Sequence, residues 1–182
     1  MSGTLSVVDF VDNLVLTGFM GTGKTSVGRE VASRLGMEFI DTDAIIESRH
    51  GPIERIFTEH GERSFRDLER ELAKELSQRN GLVIATGGGM MLDQANVEEL
   101  TRNGHVFCLV ASPEEIYHRV TTDEIRRERP LLEVDDPQRR IAELIAERGN
   151  GYARFPHIET DHRDVAGIAD EVVRRWLALH MK

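Results

Sequence analysis

Residues 18–25 read Gly18-Phe19-Met20-Gly21-Thr22-Gly23-Lys24-Thr25 and fit the pattern G-x-x-x-x-G-K-S/T at every fixed position. Glycines at 18, 21 and 23 let the backbone bend so that successive N–H groups point inward at phosphate oxygens. Lys24 then reaches the β- and γ-phosphates, and the Thr25 hydroxyl ligates Mg²⁺. A helix starting near Gly23 adds the positive end of its dipole beneath the same phosphates. The flanks agree. Asn13-Leu14-Val15-Leu16-Thr17 suits a buried parallel strand, and Val27, Val31 and Leu35 recur at helical spacing up to Gly36. Strand, glycine loop and helix in this order make a phosphate-binding P-loop.

Working outward, Glu38-Phe39-Ile40 reads as a second strand that delivers Asp41-Thr42-Asp43 at its carboxyl end. Open α/β sheets bind ligands at that end of their strands, so both carboxylates belong beside the P-loop. Residues 44–80 read as helical, with Gly61 as a break and Phe65, Leu68, Leu72 and Leu76 on one face. Arg66 and Glu69 share a neighbouring face, where a surface ion pair is the plain reading. Leu82 to Thr86 is a third strand. It ends in Gly87-Gly88-Gly89, a run that lets main chain approach a ligand without side-chain obstruction.

Asp93 to Thr101 reads as a helix, His105 to Val110 as a strand, and Ser112-Pro113 as a helix start with Ser at the N-cap. The stretch from Thr121 to Glu133 is dense in charge, with Arg126, Arg127 and Arg129. Solvated surface and a lid over phosphates both have that composition. Pro137 opens a helix to Arg148, which Gly149-Asn150-Gly151 is expected to stop. A short strand near Ile158 and a helix from Val165 to Leu179 follow. Repeated β-α order predicts a three-layer α/β/α fold around a parallel sheet, in one domain over residues 1–182.

Bulk properties exclude other classes. A net charge of −9 argues against broad nucleic-acid binding, so an anionic ligand needs a local cluster of arginines. The one cysteine, Cys108, has no internal disulfide partner and sits in an apolar run as a small core residue. Neither a signal peptide nor a membrane-length apolar stretch occurs, so the expected location is the cytoplasm.

Taken together, the motifs resemble one family, the shikimate kinases, over roughly residues 14–175. The P-loop with its trailing Ser26-Val27-Gly28 looks like theirs. So do Asp41-Thr42-Asp43 (D-x-D), Phe65-Arg66 with Glu69 (F-R-x-x-E), Gly87-Gly88-Gly89, Arg129-Pro130-Leu131-Leu132 (R-P-L-L), and Arg148 with Tyr152. The resemblance implies a five-stranded P-loop kinase fold of the nucleoside-monophosphate-kinase kind, with substrate-binding helices at about 44–80 and a lid at about 119–136. It implies transfer of the ATP γ-phosphoryl group to the 3-hydroxyl of shikimate, with Mg²⁺, by a monomer that uses neither nucleic acid nor membrane.

Residue roles follow from the resemblance. Lys24, Asp43 and Arg129 would be catalytic, Asp43 orienting or deprotonating the attacking hydroxyl. Gly21, Thr22, Gly23, Lys24, Thr25, Ser26, Arg129 and Arg163 would bind ATP, and Thr25 and Asp41 would hold the metal. Asp43, Gly87, Gly88 and Gly89 would contact shikimate, while Arg66 and Arg148 clamp its carboxylate through planar bidentate forks. The chain departs from the family at Thr122, where an adenine-stacking arginine is usual; Arg119 is the nearest substitute. It also has Asn150 for a common proline and a shorter segment from Tyr152 to Thr160. Two other readings of the residues stay open: a P-loop kinase for another acceptor such as a gluconate-like sugar acid, and a nucleotide-binding regulator without catalysis.

Overall fold

The computed structural model describes residues 12–122 and 136–180. The amino-terminal tail and most of the proposed lid, including Arg126, Arg127, Arg129 and Pro130-Leu131-Leu132, lie outside the described residues. Five strands, β1 (Asn13–Thr17), β2 (Glu38–Asp41), β3 (Leu82–Ala85), β4 (Gly104–Val110) and β5 (His157–Glu159), pair in the order β2-β3-β1-β4-β5, all parallel. Among the described residues, seven α-helices connect and flank them: α1 (Lys24–Leu35), α2 (Thr42–His50), α3 (Ile53–Leu76), α4 (Gln94–Leu100), α5 (Pro113–Thr122), α6 (Pro137–Tyr152) and α7 (Val165–His180).

Strand side chains alternate between two cores, as the period of two requires. Leu14, Leu16, Val83, Phe107 and Leu109 face one layer with Val27 and Val31 of α1 and Ile168, Val172 and Trp176 of α7. Val15, Leu82, Ile84, Val106 and Cys108 face the other, with Phe65, Leu72 and Leu76 of α3, Ile116 of α5 and Ile141 and Leu144 of α6. Both faces of β1 are covered, which explains why its sequence is a continuous apolar run rather than an alternating one. Cys108 is fully buried on β4, and burial pushes its thiol pKa up to about 12.

Glycine positions explain two local departures from simple helix rules. Gly61, with φ 78°, kinks α3, as its sequence position suggests. Gly149-Asn150-Gly151 does not stop α6: the helix runs to Tyr152, and the Ala153 N–H still donates to Gly149 C=O at 2.8 Å. The reason is tertiary. A Cβ on Gly151 would lie 2.5 Å from Leu92 Cδ2, so glycine there lets α6 pack closely on the 3₁₀ turn Met90–Leu92.

The chain leaves β1 towards β2 on one side and leaves β3 towards β4 on the other. Connections that diverge in this way open a crevice at the carboxyl ends of β1 and β3. The P-loop and the three glycines both stand there.

Candidate functional site

The P-loop is built on backbone conformations that only glycine adopts without strain. Gly18, Gly21 and Gly23 have φ of 135°, 77° and 91°. At Gly18 a Cβ would also sit 2.2 Å from the Leu109 carbonyl oxygen of β4. Thr22 is buried and its hydroxyl donates to Phe19 C=O at 2.8 Å, closing the loop on itself. Lys24 Nζ donates to Gly18 C=O and Phe19 C=O, each at 2.9 Å, so its charge lies over the loop at the start of α1. The adjoining cleft has a volume of about 490 Å³ and is lined by the loop, Ser26, Asp41, Asp43, Gly88 and Arg163 among others.

At the end of β2, Asp41 caps α2 by accepting from the Ala44 N–H at 3.2 Å. Its other oxygen accepts from the Thr25 hydroxyl at 2.8 Å. These are hard oxygen donors from two elements, at the edge of the loop where phosphates would sit. They fit Mg²⁺, which takes few protein ligands and keeps several waters.

Asp43, in the first turn of α2 beside the same crevice, is strongly perturbed. Burial raises its pKa from 3.8 to about 6; Lys24 opposes that shift, Asp41 and Glu47 add to it, and Arg66 opposes it. Its Oδ1 is buried with no hydrogen-bond partner among the described residues. Beside it lies Glu69, a fully buried residue. Burial pushes its pKa to about 7 against the Arg66 charge, with Asp43 and Asp93 raising it further. Glu69 Oε2 accepts from Arg66 Nη1 at 2.7 Å, and Glu62 takes the other edge of the guanidinium, from Nη2 at 2.9 Å and Nε at 3.2 Å.

The expected surface pair of Arg66 and Glu69 is therefore a buried carboxylate anchoring a half-buried arginine. A sequence signal for it exists. Position 69 falls on the spacing 65-69-72-76, which is the core register of α3.

Each glycine of the triplet faces a different proposed substrate residue. A Cβ on Gly87 would lie 2.4 Å from Asp43 Oδ1, and one on Gly89 would lie 2.7 Å from Arg66 Nη1. At Gly88 the nearest atoms are ordinary contacts: Met20 N at 3.7 Å, and Gly18 O and Arg148 Nη1 at 3.8 Å. The loop is held in place at both ends. The Gly87 N–H donates to the buried Thr42 hydroxyl at 2.9 Å, and the Tyr152 hydroxyl donates to Gly88 C=O. Arg148 sits above the Phe19 ring, 5.3 Å from its centroid. Lys24, Asp43 and Gly88 line one cleft, and Arg148 and Arg66 stand beside Gly88 and Gly89.

Two arginines on the nucleotide side are held by the protein itself. Arg119 spans from Gly21 C=O (3.2 Å) to Thr160, donating to its carbonyl at 2.6 Å and its hydroxyl at 3.1 Å, while Nε donates to Glu115 at 2.9 Å. It braces the P-loop against the segment after β5. Arg163 lines the cleft, yet its guanidinium is tied to Glu159 C=O, Gly167 C=O and Glu171.

Comparison with known proteins agrees with this geometry. The family profile described as shikimate kinase matches residues 20–177. A shikimate kinase of Caldanaerobacter subterraneus subsp. tengcongensis is 43% identical over 170 residues, covering 92% of this chain and 97% of that protein. Among solved structures, shikimate kinase from Acinetobacter baumannii in complex with shikimate aligns with a TM-score of 0.87 at 35% identity, over 96% of this chain and 97% of the other. A gluconokinase from Sinorhizobium meliloti aligns with a TM-score of 0.64 at 18% identity, over 95% and 99% of the two chains, a likeness of fold alone. Among the described residues, no helix is long and apolar enough to cross a membrane.

Proposed function

The chain belongs to the shikimate kinase family and is an ATP-dependent kinase acting on shikimate, and from that premise we propose how its residues divide the reaction. The γ-phosphoryl group passes to the 3-hydroxyl of shikimate, giving shikimate 3-phosphate and ADP. Phosphoryl transfer asks mainly for positioning and for neutralisation of charge. The P-loop N–H groups of residues 21–26 cradle the phosphates, and Lys24 follows the β- and γ-phosphates with its charge. Thr25 and Asp41 hold Mg²⁺, which when bound neutralises phosphate charge.

Arg66 and Arg148 take the shikimate carboxylate beside Gly88 and Gly89. Asp43 then accepts a hydrogen bond from the attacking hydroxyl, and takes its proton as the new O–P bond forms and the bond to the β-phosphate oxygen breaks. A carboxyl raised to about 6 is suited to that task near neutral pH. Glu69 holds Arg66 rather than the substrate. In this reading residues 1–182 form one kinase domain, working as a monomer in the cytoplasm.

The observation that carries this reading is the placement of Asp43 between the Lys24 and Arg66 charges, against a glycine that leaves it room. A coupled ADP-release assay with ATP and Mg²⁺ tests it, run with shikimate, gluconate and no acceptor. Turnover with shikimate alone is expected. Turnover with gluconate alone would favour the sugar-acid reading, and ATP binding with no turnover would favour the regulator.

A further inference from the structure

Asp12, His105 and His180 meet at the amino-terminal edge of the sheet, opposite the phosphate site. Asp12 immediately precedes β1, His105 is the second residue of the neighbouring strand β4, and His180 ends α7. Asp12 Oδ2 lies 3.2 Å from His180 Nε2 and 3.4 Å from His105 Nε2. One ligand atom from each residue falls within 4.8 Å of the others.

The hydrogen-bond chemistry of His180 narrows what can sit there. Its Nδ1 lies 2.9 Å from the Trp176 carbonyl oxygen, which only accepts, so Nδ1 carries a hydrogen. Nε2 therefore faces a carboxylate oxygen, and that contact is attractive only with a cation between them, either a proton or a metal ion. One proton would turn His180 into an imidazolium paired with Asp12, while His105 can donate from Nε2 as a neutral ring. One dication satisfies all three groups at once.

The two Asp12 distances, 3.2 and 3.4 Å, suit such an ion. Ligands about 2.0–2.1 Å from a tetrahedral zinc stand about 3.3 Å from one another. A zinc-bound histidine commonly donates its second N–H to a backbone carbonyl, as His180 does here.

We propose that Asp12, His105 and His180 form a binding site for a divalent transition-metal ion of the zinc type, with water completing the coordination. Its three residues are half-buried to exposed. It joins the start of the sheet to the end of the last helix, so the bound ion ties together segments far apart in the chain. The phosphoryl-transfer groups are at the other end of the strands and need no part in it.

The test uses the full chain without an affinity tag, stripped of metal and dialysed against micromolar Zn²⁺ in the presence of millimolar Mg²⁺. One zinc per chain is expected, falling to none in Asp12→Asn and in His180→Ala, with kcat on shikimate unchanged in both variants. A second signature is optical. The ring of Trp176, the one tryptophan, is centred 4.1 Å from that of His180, so Co²⁺ should quench its emission in the wild type and not in Asp12→Asn. Zinc bound equally by both variants overturns the proposal. So does a wild type that takes up none while its Trp176 emission titrates with pH, which would mean that protons alone hold the cluster.

Discussion

Replacing Asp43 with asparagine should make the enzyme nearly inactive and more stable. In the folded chain without ligands, burial raises the Asp43 pKa from 3.8 to about 6. A carboxyl that holds its proton more tightly when folded destabilises the fold once ionised. The penalty is small below pH ~4, grows as pH rises, and is complete above about 6. At 1.36 kcal/mol per pKa unit the full penalty is about 3 kcal/mol. That shift is already net of the Lys24 and Arg66 charges, and asparagine stands in for the neutral carboxyl, so a gain of about 1–3 kcal/mol is expected near pH 8.

For a chain of this size that is a rise in Tm of roughly 2–4 °C per kcal/mol. By the same linkage, the gain should shrink to about half near pH 5. The assay is thermal unfolding of both proteins, without nucleotide or shikimate, at several pH values. Loss of the proton acceptor should lower kcat about 10²–10⁴-fold in the same variant. An Asp43→Asn protein less stable than wild type near pH 8, or a difference that does not change with pH, would refute the reasoning.

Four further outcomes are expected. The kcat/KM for shikimate should fall as pH drops through about 6, because Asp43 must be ionised to accept a proton; a profile flat down to about pH 5 would exclude it as the titrating group. Arg66→Ala and Arg148→Ala should each raise the shikimate KM roughly tenfold or more, the scale of a lost charge-assisted hydrogen bond, with little change in the KM for ATP; normal shikimate affinity in both would remove the clamp. Gly89→Ala should reproduce the Arg66 effect, since its methyl group displaces the end of that flexible side chain; a variant with a normal KM for shikimate would contradict this. Arg119→Met should raise the KM for ATP and spare that for shikimate, because Arg119 braces the P-loop at Gly21; equal changes in both constants would contradict this.

Much of this was legible in the residues because the governing physics was local. The P-loop announces itself through glycines at backbone angles that other residues avoid, and Leu14-Val15-Leu16 could only be a strand covered on both faces. The candidate site's grouping was legible where chemistry constrains residue type: a carboxylate pair after β2 and two arginines that come to stand beside a glycine run. What escaped was set by distant packing. Gly151 is a helix residue because Leu92, far off in sequence, needs the space that a side chain would fill. Glu69 is polar in a core register, and only the burial of Phe65, Leu72 and Leu76 around it turns a surface pair into a buried anchor. The contact of Arg119 with Thr160 escaped for the same reason: Thr160 comes from the segment after β5, which sequence spacing could not bring to α5.

The buried thiol on β4 turns the enzyme into its own clock. Cys108 is the only cysteine, has no exposed surface and keeps its proton up to about pH 12. Thiolate is the reactive form, so the folded chain should ignore iodoacetamide at neutral pH. A strand between β1 and β5 cannot expose that sulfur by fraying at an edge. Alkylation must therefore wait for the sheet to open, and the mass gained per hour reports the population of the open state. Ligands that hold the nucleotide crevice closed should slow that gain, so that occupancy of the site can be read from a sulfur atom that never touches it.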